Sequence, residues 1–308
     1  MADAAIGWLG VPLAVAAGAV RAGTPFLFVS LGELLTEKSG RINLGLEGTL
    51  VMGAMSGYGT AYMTGSPWLG VVVAGFAGSA FGALHAGLCS LPKVNDIAVG
   101  IALMLFGTGL AFYLGKPFVQ PQAPALPAIE FGWWSDVAAV KDALRINALF
   151  LVGAALAPFI LWGLRTTRWG MILRMAGDSA DAARAMGYSV DLVRLIATVV
   201  GGFLAGVGGS FLSLYYPGSW NEGLSSGQGI TAVALVIFAR WSPMNCLYAS
   251  LLFGGAGALG PALQSVGVTS GYYLFNAAPY FLTLTIMLLT SSSGRRLSGA
   301  PSELSITR

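Results

Sequence analysis

Charge is scarce in this sequence. Asp, Glu, Lys and Arg together make up 9% of it, against about 25% in a typical soluble domain. Cysteine is limited to Cys89 and Cys246, each inside an apolar run, so no disulfide framework or metal-ligand spacing exists and both read as small packing residues. The single histidine, His85, lies mid-span with no HExxH-type spacing around it and reads as a satisfied polar group within a packed helix. No Walker A pattern is present, so the chain is not expected to hydrolyse ATP itself. No basic n-region precedes the first apolar stretch, so no cleavable signal peptide is expected. A formal charge of +3 is too small to indicate a nucleic-acid partner.

What the chain has in excess is apolar and small side chains. Hydrophobic residues are 56% of its 308, the mean hydropathy is +0.74 and glycine occurs 44 times. Small residues let helix backbones approach closely where lipid, rather than water, is the solvent. Apolar runs long enough to cross a bilayer, about 20 residues, lie at 11–36, 44–64, 68–91, 95–115, 146–165, 195–216, 227–240, 246–266 and 271–291. The expected fold is therefore an all-α polytopic transmembrane bundle of about nine spans. The first run carries Arg21 and Pro25 and reads as tilted and kinked. The seventh is short, follows an irregular stretch at 217–227 and reads as broken or re-entrant.

Basic residues orient such bundles, because loops rich in Lys and Arg stay in the cytoplasm. With the loop 166–194 placed inside, twelve of the 16 basic residues fall on that side, leaving Arg21, Lys116, Lys141 and Arg145 outside. The transmembrane domain then covers 1–293. It includes an extracytoplasmic loop at 116–145, marked by four prolines and the Trp133–Trp134 pair, and a polar, mobile cytoplasmic tail follows at 294–308. Two Ser-Pro openings, SPWLGVVVAGFAGSAFGAL at 66–84 and SPMNCLYASLLFGGAGALGPAL at 242–263, suggest an inverted repeat, with chance similarity of Gly/Ala-rich helices as the alternative.

Polar side chains in or beside apolar runs are the candidates for a solute path, because ionisable groups in a membrane are costly and face a cavity or a partner. These are Asn43, Glu47, Asn95, Asp96, Asn221 and Gln228, while helix packing is the competing role. A charged turn at Glu37, Lys38 and Arg41 reads as solvated. In the 166–194 loop, Ser179 can cap a short helix containing Ala182, Ala183 and Ala185, with Gly187 as its C-cap. Asp178, Ala182, Ala183, Arg184 and Gly187 then become candidates for contact with a partner, with the small alanine face seated in a groove.

Gly177, Asp178, Ala182, Ala183 and Gly187, followed by a Gly-rich span, resemble the cytoplasmic coupling loop of permeases in the branched-chain amino acid/ribose (type II) family of ABC importers. The stretch GELLTEKSGRINLGLEG at 32–48 looks like the signature of its nucleoside-type branch, which works with basic-membrane-protein-type binding lipoproteins. GSPWLG at 65–70, VNDIAVGIAL at 94–103 and PYFLTL at 279–284 look like the same branch. The coupling loop departs from the usual Gly-Glu-Asn-Pro, reading Gly177, Asp178, Ser179, Ala180, and Tyr188 stands where Ile is common. The resemblance implies a non-enzymatic permease subunit in a bacterial cytoplasmic membrane. It implies a second permease subunit in a heterodimer, an ABC ATPase that binds ATP and Mg, an extracytoplasmic binding lipoprotein, and no cofactor on this chain. Nucleosides are the implied solute. Simple sugars such as ribose or galactose are the first alternative. An ion-coupled secondary transporter, for which only Glu33, Glu47, Asp96 and Glu222 offer a carboxylate, is the second, and a polytopic membrane enzyme the third.

Overall fold

The structure, a computed structural model, describes residues 10–268, 277–278, 281, 285 and 299–306. Its helices in chain order are α1 (Gly10–Lys38), α2 (Leu46–Thr64), α3 (Pro67–Cys89), α4 (Asp96–Gly115), α5 (Ala138–Ala143), α6 (Ala148–Thr166), α7 (Arg168–Asp178), α8 (Ala180–Ala185), α9 (Val190–Leu214), α10 (Gln228–Phe238), α11 (Pro243–Ser265) and α12 (Glu303–Ile306). Among the described residues, six helices are long and apolar enough to cross a membrane: α1, α3, α4, α6, α9 and α11. α2 has the length but a more polar sequence. α10 has only 11 residues, about 16 Å at the usual rise and so about half of a hydrocarbon core. The run at 271–291 lies outside the described residues but for single positions.

Local signals start and stop these helices. Ser66 caps α3 ahead of Pro67, and Asn95, Asn147, Thr167 and Ser189 cap α4, α6, α7 and α9 with their side-chain oxygens. The short seventh run has a local cause. Ser226 and Gly227 take left-handed backbone before α10, and Arg240 and Trp241 do so after it. α1 runs continuously through Pro25.

α9 is the hub, with 72% of its spanning window buried, and it packs against α1, α2 and α3. Its glycines make this possible. Gly202 and Gly206 bring its backbone against Gly78 of α3, so closely that no Cβ fits at the crossing. The surrounding core joins Leu27, Phe28, Leu31, Leu204, Phe211 and Phe253.

The two ends of the bundle differ. At one end Arg194 Nε donates to the Ser39 carbonyl at 3.1 Å, Arg41 donates to the carbonyls of Ala86 and Cys89 at 2.8 and 2.9 Å, and Lys38 Nζ donates to the carbonyl of Gly299 at 2.7 Å. The charged turn is therefore buried rather than solvated: Glu37 and Arg41 are 1% and 4% exposed, and Trp241 Nε1 donates to the Glu37 carboxylate. At the other end the 116–145 segment forms a lid rather than a plain loop. A 3-10 turn (Lys116–Phe118) leads to a two-stranded ribbon of β1 (Ala128–Glu130) and β2 (Arg145–Asn147), with α5 between, so the described fold is helical except for this ribbon. The lid is tied down by Trp220 Nε1 donating to the Gly115 carbonyl at 2.9 Å and Tyr58 Oη donating to the Pro121 carbonyl at 2.9 Å.

Arg21, placed within α1, reaches Asp142 of the lid at 2.8 Å. The Arg21 guanidinium holds the Asp142 carboxyl below the usual carboxylate range, against a smaller opposing effect of burial. A depressed folded pKa contributes stability that is present above the unfolded value of about 3.9 and is lost as pH falls through the folded one. The melting temperature of the detergent-solubilised protein should therefore fall more steeply below about pH 4 in the wild type than in Asp142→Asn. The difference should stay within about 1 kcal/mol, because Asp142 is largely exposed. Equal acid sensitivity would contradict a formed ion pair.

Candidate functional site

The polar residues in the apolar runs do not gather into one strip. Glu47 and the Gln228 segment come together. Glu47 stands in the first turn of α2, and its carboxylate is seated on the start of α10. Its Oε1 accepts from Ser225 Oγ at 2.5 Å and from the Gly227 N–H at 3.0 Å, and its Oε2 accepts from the Gly229 N–H at 2.6 Å. An α-helix leaves its first N–H groups without partners and carries partial positive charge there, so a carboxylate is the matching group. Gly229 allows the approach, since a Cβ there would lie 2.5 Å from Glu47 Cα. Gln228 makes no bond to Glu47 with its side chain, and its Oε1 is buried without a partner among the described residues.

Asn43 belongs to the turn between α1 and α2. Its N–H donates to Glu33 Oε1 at 2.8 Å, and its Oδ1 accepts from the Gly45 N–H at 2.9 Å. Glu33 is fully buried. Asn95 caps α4 by accepting from the Ile97 and Ala98 N–H groups at 2.9 and 3.1 Å. Asn95 and Asp96 line a cavity at the basic end with Gly40, Ile42, Lys93 and Leu304. Asn221 lies exposed in the 215–227 connection, where its Oδ1 accepts from the Gly223 N–H at 3.1 Å. Glu222 beside it is exposed too. Thus three of the six, Asn43, Asn95 and Asn221, are turn or cap residues, and Glu47 is the one that joins α2 to the short helix α10. Ser225 and Gly229, its partners, carry no sequence signal beyond their place next to a glycine-flanked Gln.

At the basic end, α7 and α8 build the segment expected to meet a partner. Ser179 closes α7 and caps α8, accepting from the Ala182 N–H at 3.2 Å. Gly187 has φ +85°, and the Tyr188 N–H reaches the Ala183 carbonyl at 3.0 Å, which is the left-handed C-terminal turn that glycine permits. Asp178, Ala182, Arg184 and Gly187 are exposed, with Arg184 paired to Asp181 at 3.1 Å. Ala183 differs. It is fully buried against Ala176, Ala180, Val190 and Val193 and faces into the protein. A six-residue helix cannot show all its alanines to one side at 3.6 residues per turn. The large apolar side chain presented there is that of Met186, which closes the C-terminal end of α8 and is 69% exposed.

The tail is docked rather than free over its described residues. Glu303 of α12 accepts from the Ala180 N–H at 2.9 Å and pairs with Arg194 at 3.2 Å, so it holds the start of α8 to α9. Cys89 and Cys246 are buried free thiols, and His85 Nε2 lies 3.6 Å from Cys89 Sγ. Among the described residues no group of acidic, His and Cys side chains is arranged for a metal.

A bundle of apolar spans around a glycine-lined hub, with one half-length helix capped by a carboxylate from the neighbouring α2, defines a polytopic membrane protein. The family model "Branched-chain amino acid transport system / permease component" matches residues 7–291, and the chain belongs to that family. It is therefore a multi-pass inner-membrane permease, a non-enzymatic transport subunit. The chain is 35% identical over 254 residues to the putative glucose ABC transporter permease protein TsgC13 of Haloferax volcanii, covering 81% of this chain and 77% of that protein. It is 29% identical to the nucleoside ABC transporter permease protein NupC of Lactococcus lactis, covering 86% and 88%. It is likewise 29% identical to the guanosine ABC transporter permease protein NupQ of Bacillus subtilis, covering 88% and 89%. No solved structure matches the chain.

Proposed function

We propose that this chain is one permease subunit of an ABC importer for nucleosides. In this reading a separate ATPase binds ATP and Mg and drives transport, and a second permease subunit completes the path. An extracytoplasmic lipoprotein delivers the solute. The observation that carries the reading is the capped helix α8, held rigidly at the basic end of a family member that has no nucleotide motif. Nucleosides are favoured by the likeness to NupC and NupQ along nearly the whole chain. A sugar is the second reading, favoured by the likeness to TsgC13. Labelled nucleoside and glucose uptake by cells with and without the gene separates the two. Nucleoside uptake that depends on the gene supports the first, and gene-dependent glucose uptake alone supports the second.

The basic end is proposed to face the cytoplasm, with 116–145 outside and 271–291 as a ninth span. An inverted repeat fits the packing. Exchanging α1 with α9, α2 with α10 and α3 with α11 turns the α3–α9 pair into α11–α1 and the α2–α9 pair into α10–α1, all of which are packed pairs. Gly78 and Gly254 sit the same distance past Pro67 and Pro243, and a Cβ on either would strike the backbone of α9 or α1. The solute path is proposed to run by the α2–α10 junction at Glu47 and Gln228, with Asn43, Asn95, Asp96 and Asn221 shaping the turns around it.

The outward side of α8 is proposed to seat in the ATPase through Met186, Ala182 and Gly187, with Asp178 and Arg184 at its margin. Met186→Asp should lower solute-stimulated ATP hydrolysis by about tenfold, the loss expected of one apolar anchor, with normal yield of the permease. Arg184→Ala should change it little, since an exposed ion pair is worth about 0–1 kcal/mol. Ala183→Trp should reduce yield instead, because its bulk enters the α7–α9 packing. ATPase stimulation unchanged by Met186→Asp would refute this docking face.

A further inference from the structure

Two cavities flank the basic end of α6. The first, ≈ 180 Å³, is lined by Lys38, Arg165 and Arg174 with Leu161, Leu164 and the Trp241–Pro243 turn. No carboxylate lines it. The ion pairs of the described residues use Arg21, Arg41, Arg145, Arg184 and Arg194, which leaves Lys38, Arg165 and Arg174 without a carboxylate at ion-pair distance. Ser242, at the start of the 23-residue α11, makes no capping bond with its side chain, so the first N–H groups of that helix add to the positive field. The Asp178 and Glu37 carboxylates act on Lys38 from outside the cavity and offset part of its charge, and the Lys38 Nζ donates to the Gly299 carbonyl. Arg165 and Arg174 still stand in a concave site with no carboxylate in its lining, which calls for an anion of more than one charge-bearing oxygen, as in a phosphate ester.

The second cavity, ≈ 250 Å³, adjoins the first through Leu164, which lines both. It is an apolar groove between α6, α7 and α9, lined by residues such as Phe159, Ile160, Ile196 and Val200, with Thr167 as its polar side chain. Its floor is open at Gly163, where a Cβ would meet nothing within 4 Å. Trp169 lines it, 59% exposed, and indole rings favour the depth at which headgroups meet acyl chains. A soluble phosphate ester would fill the cationic cavity and leave the groove bare. A phospholipid covers both.

We propose that the cationic cavity and the adjoining groove form one binding site for an anionic phospholipid, its phosphate among Lys38, Arg165 and Arg174 and an acyl chain along Gly163. The bound lipid bridges α6, α7 and α11 and so braces the segment that carries α8. Basic pockets between spans are places where lipid headgroups bind selectively. The site is independent of which solute is carried.

The test uses the assembled complex in nanodiscs of phosphatidylcholine, alone or with phosphatidylglycerol, and native mass spectrometry to count lipid retained on the permease. Phosphatidylglycerol should be retained over phosphatidylcholine. Retention should fall about thirtyfold in Arg165→Ala/Arg174→Ala, from about a kilocalorie for each cation near the surface. Gly163→Leu should weaken it as well, by filling the groove. Millimolar inorganic phosphate should not displace the lipid. Should the double variant fail to accumulate, Arg165→Gln decides the same way with a smaller drop. Equal retention of the two lipids, retention unchanged in the variants, or displacement by inorganic phosphate would each overturn the site. So would a cysteine at position 163 that cross-links to the second permease, which would make the groove a subunit interface.

Discussion

Replacing Glu47 by Ala is expected to abolish solute uptake and to lower the melting temperature of the permease. The change strips the acceptor from Ser225 Oγ and from the N–H groups of Gly227 and Gly229. A buried donor left without a partner costs about 1–3 kcal/mol, so three of them add about 3 kcal/mol or more. The loss falls on the connection between α2 and the half-length α10, where position matters most for a path through the bundle. Glu47→Gln should be milder, because one oxygen remains to accept while the amide nitrogen meets the Gly229 N–H. Glu47→Asp should lie between them, being too short to reach both sides at once. Thermal unfolding in detergent and uptake into proteoliposomes measure the two effects. An Ala variant that melts and transports like the wild type would show that the carboxylate does not hold α10.

The second large effect is expected at the crossing of α3 and α9. Gly78→Leu should leave almost no folded permease in the membrane fraction, while Gly87→Leu on the same helix should accumulate normally. A Cβ at 78 would strike the Gly202 carbonyl oxygen and lie 2.9 Å from the Gly206 nitrogen, whereas one at 87 meets nothing within 4 Å. Backbone cannot step aside as a flexible side chain can. The helices must therefore separate along the contact that anchors the hub, at a cost of about 3 kcal/mol or more. Detergent extraction and size-exclusion chromatography of both variants give the comparison. A monodisperse Gly78→Leu permease would mean that the two helices do not pack as described.

Much of this was legible in the sequence, for reasons that differ from place to place. The apolar runs placed α1, α3, α4, α6, α9 and α11 within a few residues, because span length is dictated by bilayer thickness. The caps of α8 at Ser179 and Gly187 were readable because capping depends on a few adjacent residues. The inward face of Ala183 was not, since which side of a six-residue helix is covered is set by Ala176, Val190 and Val193 on neighbouring helices. Glu47 stood out as a carboxylate in an apolar run, yet its partners lie some 180 positions away. Only the fold says that it caps a helix. Glu37, Lys38 and Arg41 look like surface residues in the sequence, but Trp241 and the end of α3 cover the charged turn they form. Likewise, nothing in a polar tail announces that Glu303 will meet Arg194 and the start of α8.

In the proposed function the permease is worked from outside its own chain, through α8 at the basic end. The most direct measurement is accumulation of labelled nucleoside inside proteoliposomes holding the purified complex, with the binding protein and ATP supplied on their proper sides. Accumulation that requires ATP, persists without any proton or sodium gradient, and is lost in Met186→Asp at unchanged permease yield is the predicted result. Uptake by this chain without the ATPase, driven by an ion gradient and indifferent to Met186→Asp, would contradict it.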